Sequence, residues 1–225
     1  ELKGNKNYLT IWLSIIFIIS ILLTGERSNT IKAVLGISIL FILYKNLDIK
    51  KKIIIYLSMI ALILTLVFNT HHLKYKYFEQ TTFLKNTTYF KLYESGFEVF
   101  KNNKLFGVGN KNYRVETCNE IKKNDKYICT THPHQVYFEF LSEHGLIGTL
   151  IILLIFYKLI FSKILSTICE KKYIKIGSLI YLILVFTPII PSGAFFTDHV
   201  FTLFALNLGI FYASDKRLNI FKKVE

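Results

Sequence analysis

The sequence predicts an all-α polytopic membrane protein of about six transmembrane helices, joined by an extramembrane loop region that carries short amphipathic helices. Three observations predict it. Of 225 residues, 52% are hydrophobic; the mean hydropathy is +0.40; and the apolar residues stand in long blocks rather than alternating with polar ones. A spanning helix needs about 20 mostly apolar residues to cross roughly 30 Å of hydrocarbon. Six blocks approach that length.

In order, the blocks cover residues 8–24, 28–44 and 53–69, then 145–161, 173–190 and 197–213. A signal peptide would be one short apolar stretch followed by soluble sequence, so the first block reads as a span. The sequence opens at Glu1 and its only methionine is Met59, which reads as a fragment of a longer chain. Three regions follow. Residues 1–69 form three transmembrane helices with a short outer arginine turn. Residues 70–144 form an extramembrane loop with the candidate motif and interfacial helices, and residues 145–225 form three more transmembrane helices and a cytoplasmic tail.

The formal net charge is +13, which on a soluble protein would suggest nucleic-acid binding. Here most basic residues lie between blocks, so membrane topology explains them and no nucleic-acid partner is expected. Lys45, Lys50, Lys51 and Lys52 form one cluster, Lys163, Lys171, Lys172 and Lys175 a second, and Lys216, Arg217, Lys222 and Lys223 a third. They alternate correctly with six spans to share one side, the cytoplasm by the positive-inside rule. The turn at 25–29, the segment 70–134 and the turn at 192–196 then face outward. Ten lysines in the long segment do not oppose this, because loops beyond about 60 residues escape the charge rule. Cys118 and Cys129 share the outer segment, where a disulfide or two free thiols are both open readings; Cys169 is cytoplasmic and idle.

Within the long segment, Tyr89, Phe90, Tyr93, Phe97 and Phe100 recur at a helical period and predict an amphipathic helix on the membrane surface. Leu105-Phe106-Gly107-Val108-Gly109-Asn110 predicts a tight turn. Pro133 predicts a helix start, with His132 or Thr131 as its cap and a course that can continue through Gly145 into the fourth span.

Arginine usage is selective: only Arg27, Arg114 and Arg217 appear among 28 basic residues. Two of them, Arg27 and Arg114, fall on the outer side against the topological bias. A guanidinium offers a planar fork that grips phosphate at two points, which an ammonium cannot. The structural alternative is that Arg27 pairs with Glu26 or reaches lipid headgroups. His132, His134, Glu139, Glu143 and His144 form a second constellation. In the first helical turn, His134 would be held neutral by the helix dipole and able to act as a base, beside N–H groups that attract phosphate. Glu139 and Glu143 share a face with Gln135; one reading is an interfacial helix whose carboxylates merely face water, and for Glu139 that is the expected one. Spacing for a zinc helix is absent, and no metal or cofactor is expected. Asp198-His199 opens the sixth block, read as a helix start capped by Thr197 or Asp198.

His134-Gln135, nine residues, then Gly145-Leu146-Ile147-Gly148 resembles the signature of O-antigen ligases and O-antigen polymerases: histidine, then Asn, Ser or Gln, then glycine at that spacing. Gly107 and Gly109 with Asn112-Tyr113-Arg114 are similar to that family's stretch before the histidine, and Thr24-Gly25-Glu26-Arg27-Ser28 to its short arginine turn. The likeness covers most of residues 22–148. Such proteins usually have ten or more spans, so half of the expected chain is absent, and Gln135 replaces the commoner asparagine.

The resemblance implies metal-independent, inverting glycosyl transfer at the periplasmic face of a bacterial inner membrane, without cofactor. The donor is an undecaprenyl-diphosphate-linked glycan; the acceptor is a lipid A-core hydroxyl for a ligase or a second lipid-linked glycan for a polymerase. His134 is expected as base, Arg27 and Arg114 as diphosphate ligands, with His132, Gln135, Glu143, Gly145 and His199 in support. A polysaccharide transporter or flippase component is the rival class, disfavoured because the span centres are nearly all Ile, Leu, Val and Phe. A non-catalytic scaffold leaves the arginines and the motif as coincidence.

Overall fold

A computed structural model describes residues 5–44, 48–78, 88–121, 124–170 and 172–215, and every regular element among them is helical. The basic residues Lys45, Lys171, Lys216, Arg217, Lys222 and Lys223 lie outside the described residues. The chain divides into two compact units, Glu1–Leu84 and Lys85–Glu225.

The first unit holds α1 (Asn5–Leu23), α2 (Arg27–Leu43), α3 (Ile49–Asn69) and α4 (His71–Tyr77). Helix α1 stops where Gly25 takes a φ of 72°, a left-handed conformation that glycine adopts without a Cβ penalty. Its amide donates to Leu22 O at 3.0 Å, closing the last turn. Leu22, Val67 and Leu73 then bury one another, drawing α1, α3 and α4 together. Trp12, Leu13, Ile16 and Phe17 stay exposed on α1, an apolar face too large for an aqueous surface.

The second unit holds α5 (Thr88–Asn102), α6 (Tyr113–Thr117), α7 (Val136–Leu159), a 3-10 turn (Phe161–Lys163), α8 (Ile164–Glu170), α9 (Tyr173–Val185) and α10 (Asp198–Ala213). Its core centres on Phe195, whose ring lies 5.3 Å from Phe140, 5.6 Å from Phe156 and 5.1 Å from Phe204, each edge-on, the geometry that ring quadrupoles favour. Lys175 is buried, 2.9 Å from Asp215 Oδ2 and 3.0 Å from Glu170 Oε2, so its charge is paired as a buried charge must be. Cys118 and Cys129 form a disulfide, and Cys169 is a free, exposed thiol.

Two stretches are long and apolar enough to cross a membrane: Ile49–Asn69, with a mean hydropathy of 2.1, and Val136–Glu170, with 2.2. Only 11% and 17% of their apolar residues are buried, whereas the core helix of a soluble protein is mostly buried. The other blocks form shorter helices. Helix α9 has 13 residues, about 20 Å at 1.5 Å per residue, because Pro188 lies too near to let the chain stay helical as far as residue 190.

The amphipathic helix expected over 89–100 is α5, but it turns a different face inward. Leu92, Ser95, Gly96 and Val99 are buried, while Phe90 and Phe97 are exposed. Small residues let the helix approach its neighbours; of the aromatic stripe, Tyr93 is buried with them, its hydroxyl donating to Ile189 O at 2.9 Å, and Phe90 and Phe97 stay outside.

Helix α7 passes through Gly145 with a kink. At φ 64° and ψ −169°, Gly145 turns the next amides out of the helix. Leu146 N and Ile147 N donate instead to Lys104 O (2.8 Å) and Leu105 O (3.2 Å), while Ser142 O and Glu143 O accept from Val108 N (3.0 Å) and Gly109 N (2.8 Å). The double-glycine turn thus fills the break and pairs four backbone groups that the kink frees. A Cβ on Gly107 would overlap the Glu143 backbone, and one on Gly145 the Leu105 backbone.

Replacing Gly145 by alanine should therefore cost about 3 kcal/mol, from the left-handed φ and the overlap together. Thermal unfolding in detergent should show a Tm lower by about 6–12 °C. Gly177→Ala, whose Cβ meets nothing within 4 Å, should leave the Tm unchanged or raise it.

Candidate active site

The motif helix starts later than Pro133 suggests. The N-cap of α7 is Gln135, not His132 or Thr131, and its side-chain Oε1 accepts from Tyr137 N (2.7 Å) and Phe138 N (3.2 Å). Those amides have no intrahelical partner, so a side-chain oxygen at this position satisfies them. His134 therefore stands one residue before the cap rather than in the first turn. It adopts a φ of 57°, uncommon for a residue with a Cβ, and its carbonyl accepts from Ser192 N at 2.8 Å.

This left-handed step turns His134 back toward His132. The two rings are 4.0 Å apart, and Tyr89 meets His134 edge-on at 6.0 Å. His132 Nδ1 lies 2.9 Å from Thr131 Oγ1. Burial lowers the pKa of His134 below 6.5. His132 falls to about 4, through burial first and the neighbouring His134 second, with the Ser192 backbone offsetting part of the shift. Both rings are neutral at neutral pH, as the sequence suggested for His134, but desolvation rather than the helix dipole is the cause.

Glu139 and Glu143 do not face water. Both are 2% exposed, as is Gln135, so the polar stripe of α7 points into the protein. Each carboxylate binds backbone amides instead of solvent. Both oxygens of Glu139 lie 2.9 Å from Phe195 N, which ties the turn before α10 to the motif helix; burial pushes the Glu139 pKa up to about 8 against that bond. Glu143 Oε2 accepts from Lys111 N at 2.9 Å. Burial raises its pKa, and the Lys111 and Tyr113 amides oppose the rise.

Arg114 is exposed in α6, directly after Tyr113, which is wholly buried. Tyr113 and the histidine segment lean on adjacent residues of α5: the Tyr113 hydroxyl lies 2.7 Å from Ser95 Oγ, and a Cβ on Gly96 would stand 2.8 Å from Pro133 Cβ. One helical turn thus positions both candidate segments. The sequence reading missed it; a Ser-Gly pair inside a helical period was the available signal, because glycine there marks a close approach.

Arg27 belongs to the first unit. It is half-buried as the first residue of α2, beyond a turn held by Glu26 N to Thr24 Oγ1 at 3.2 Å. A Cβ on Gly25 would stand 3.1 Å from His72 Nε2, so α4 packs on the arginine turn and brings a histidine that the sequence reading did not single out. His199 is exposed in the first turn of α10. Thr197 holds the N-cap position there, but its hydroxyl bonds Ala194 O at 2.8 Å rather than a helix amide. Among the described residues no group of three or more His, Cys, Asp or Glu could hold a metal.

The helical fold and the two exposed apolar stretches point to the class of membrane proteins. The family model described as O-antigen ligase matches residues 12–153, more than half of the chain, and the protein belongs to that family. Its members are glycosyltransferase-like enzymes that use lipid-linked glycans in lipopolysaccharide synthesis. No curated protein and no solved structure matches the chain.

Capping explains why the position after the histidine takes Asn, Ser or Gln: each carries a side-chain acceptor. Gln135→Ala should cost about 1 kcal/mol of stability, whereas Gln135→Asn should retain it. Denaturant unfolding of the two variants checks this.

Proposed function

We propose that this protein transfers a glycan from an undecaprenyl-diphosphate-linked donor to a sugar hydroxyl of lipid A-core, as an O-antigen ligase, at the periplasmic face of a bacterial inner membrane. The six spans read from the sequence would put the Arg27 turn, residues 70–144 and the turn at 192–196 on that face. The observation that carries the reading is His134 in the family motif, neutral and held before a capped helix.

A positioned neutral imidazole can take the proton of an acceptor hydroxyl as its oxygen bonds the anomeric carbon. The bond from that carbon to the diphosphate oxygen breaks on the opposite face, inverting the configuration, and undecaprenyl diphosphate leaves. Arg27 and Arg114, the two outer arginines of the sequence, are the groups suited to stabilise the charge that builds on it. No step needs a metal or a cofactor. His132 serves His134 as a close, uncharged neighbour; Gln135, Glu143 and Gly145 hold the scaffold; His199 lines the same face.

Removing the base should lower transfer by about 10²–10⁴-fold. His134→Ala and Arg27→Ala in the full-length protein, made in a deletion host, should therefore give lipopolysaccharide without long chains on a gel. Normal chains from normally inserted variants would overturn the assignment, and core bearing a single repeat in the deletion host would mean a polymerase with a carrier-linked acceptor. Arg27→Lys keeps the charge but not the fork, so it should remain impaired.

The base works only when neutral, and its pKa lies below 6.5. The rate should stay flat as pH falls to about 6.5 and drop only below it. A profile already declining above pH 7 would rule out His134 as the controlling base.

A further inference from the structure

Leu105 and Phe106 are 58% and 72% exposed, yet they sit on a rigid support. The backbone on either side is tied to the kink of α7, through Lys104 O and Leu105 O on one flank and Val108 N and Gly109 N on the other. Two large apolar side chains are thus held outward by a scaffold that cannot fold them in. The same bonds join this tip to Leu146 and Ile147, the first residues of α7 beyond the kink, and both are exposed.

From there the apolar surface continues without interruption along α7 through Leu150, Ile151 and Leu154, all exposed. Whatever covers that helix also covers the tip, and for a stretch with a mean hydropathy of 2.2 that is lipid. On the polar side of the tip stand exposed Lys104 and Asn110, suited to headgroup phosphates.

We propose that Leu105 and Phe106 form a membrane wedge, inserted among lipid acyl chains beside the outer end of the α7 span. The wedge fixes the depth of the double-glycine turn. Through Gly109 N on Glu143 O and Lys111 N on Glu143 Oε2, it holds the Arg114 segment at the level of lipid headgroups. It rests on α7 spanning beyond Gly145 and is independent of the transfer chemistry.

The test is spin-label accessibility in the full-length protein, reconstituted in phosphatidylethanolamine and phosphatidylglycerol vesicles. Phe106→Cys, Asn110→Cys and Leu154→Cys are labelled singly on a Cys169→Ser background. Leu154 lies eight residues past Leu146, about 12 Å deeper along the helix axis. The label at 106 should collide more often with oxygen than with a water-soluble nickel chelate, the label at 154 more strongly so, and the label at 110 the reverse.

A label at 106 that favours the chelate overturns the wedge in favour of an aqueous loop. A label at 106 shielded from both reagents overturns it in favour of a covering protein surface. If the label at 154 also favours the chelate, the spanning reading of α7 itself fails, which separates the two outcomes.

Discussion

Four backbone hydrogen bonds hold the turn at 104–109 in the break of α7, and the layout of the motif region depends on them. A kinked helix exposes amides and carbonyls that must find partners, and burial in or near lipid makes leaving them unpaired costly. Gly145 creates the break and Gly107 lets the turn enter it, because each backbone passes where the other's Cβ would stand. The two glycines are a matched pair separated by 38 positions of chain. A kink without the turn would leave four groups unsatisfied, and a turn without the kink would have nowhere to dock.

From that junction the remaining order follows. Glu143, on the last turn before the kink, uses its carboxylate to hold the turn that leads to Arg114. Glu139, one turn earlier, holds Phe195, whose ring is the centre of the aromatic core. At the head of the same helix Gln135 caps two amides, and His134 emerges with its carbonyl fixed by Ser192. A single face of α7 thus carries cap, core anchor and turn anchor at intervals of four residues, and each polar group is buried because it has a backbone partner. Family motif and structural scaffold are here one set of residues: the histidine has chemical potential, while the amide oxygen and the glycine act by placing it.

Chain periodicity and composition were enough to predict a helical protein with stretches long and apolar enough to cross a membrane, because spanning length and hydropathy are properties of consecutive residues. The helix over 88–102, the glycine turn and the arginine turn were legible for the same reason. Residue order also revealed the motif of His134 and Gly145, since its spacing is local. What it could not reveal was direction. Glu139 and Glu143 share a face whichever way that face points, and for Glu139 charge suggested water; only the amides of Phe195 and Lys111, 56 and 32 residues away, made the interior the better place for both. Likewise α5 shows two candidate stripes, and the aromatic one is the more conspicuous. The face with Ser95 and Gly96 turned inward, carrying Tyr93 with it, because Tyr113, Ile128 and Pro133 needed to come close. Tertiary structure decided these points, as it decided the short α9 and the left-handed His134, because each depends on a partner group distant in the chain.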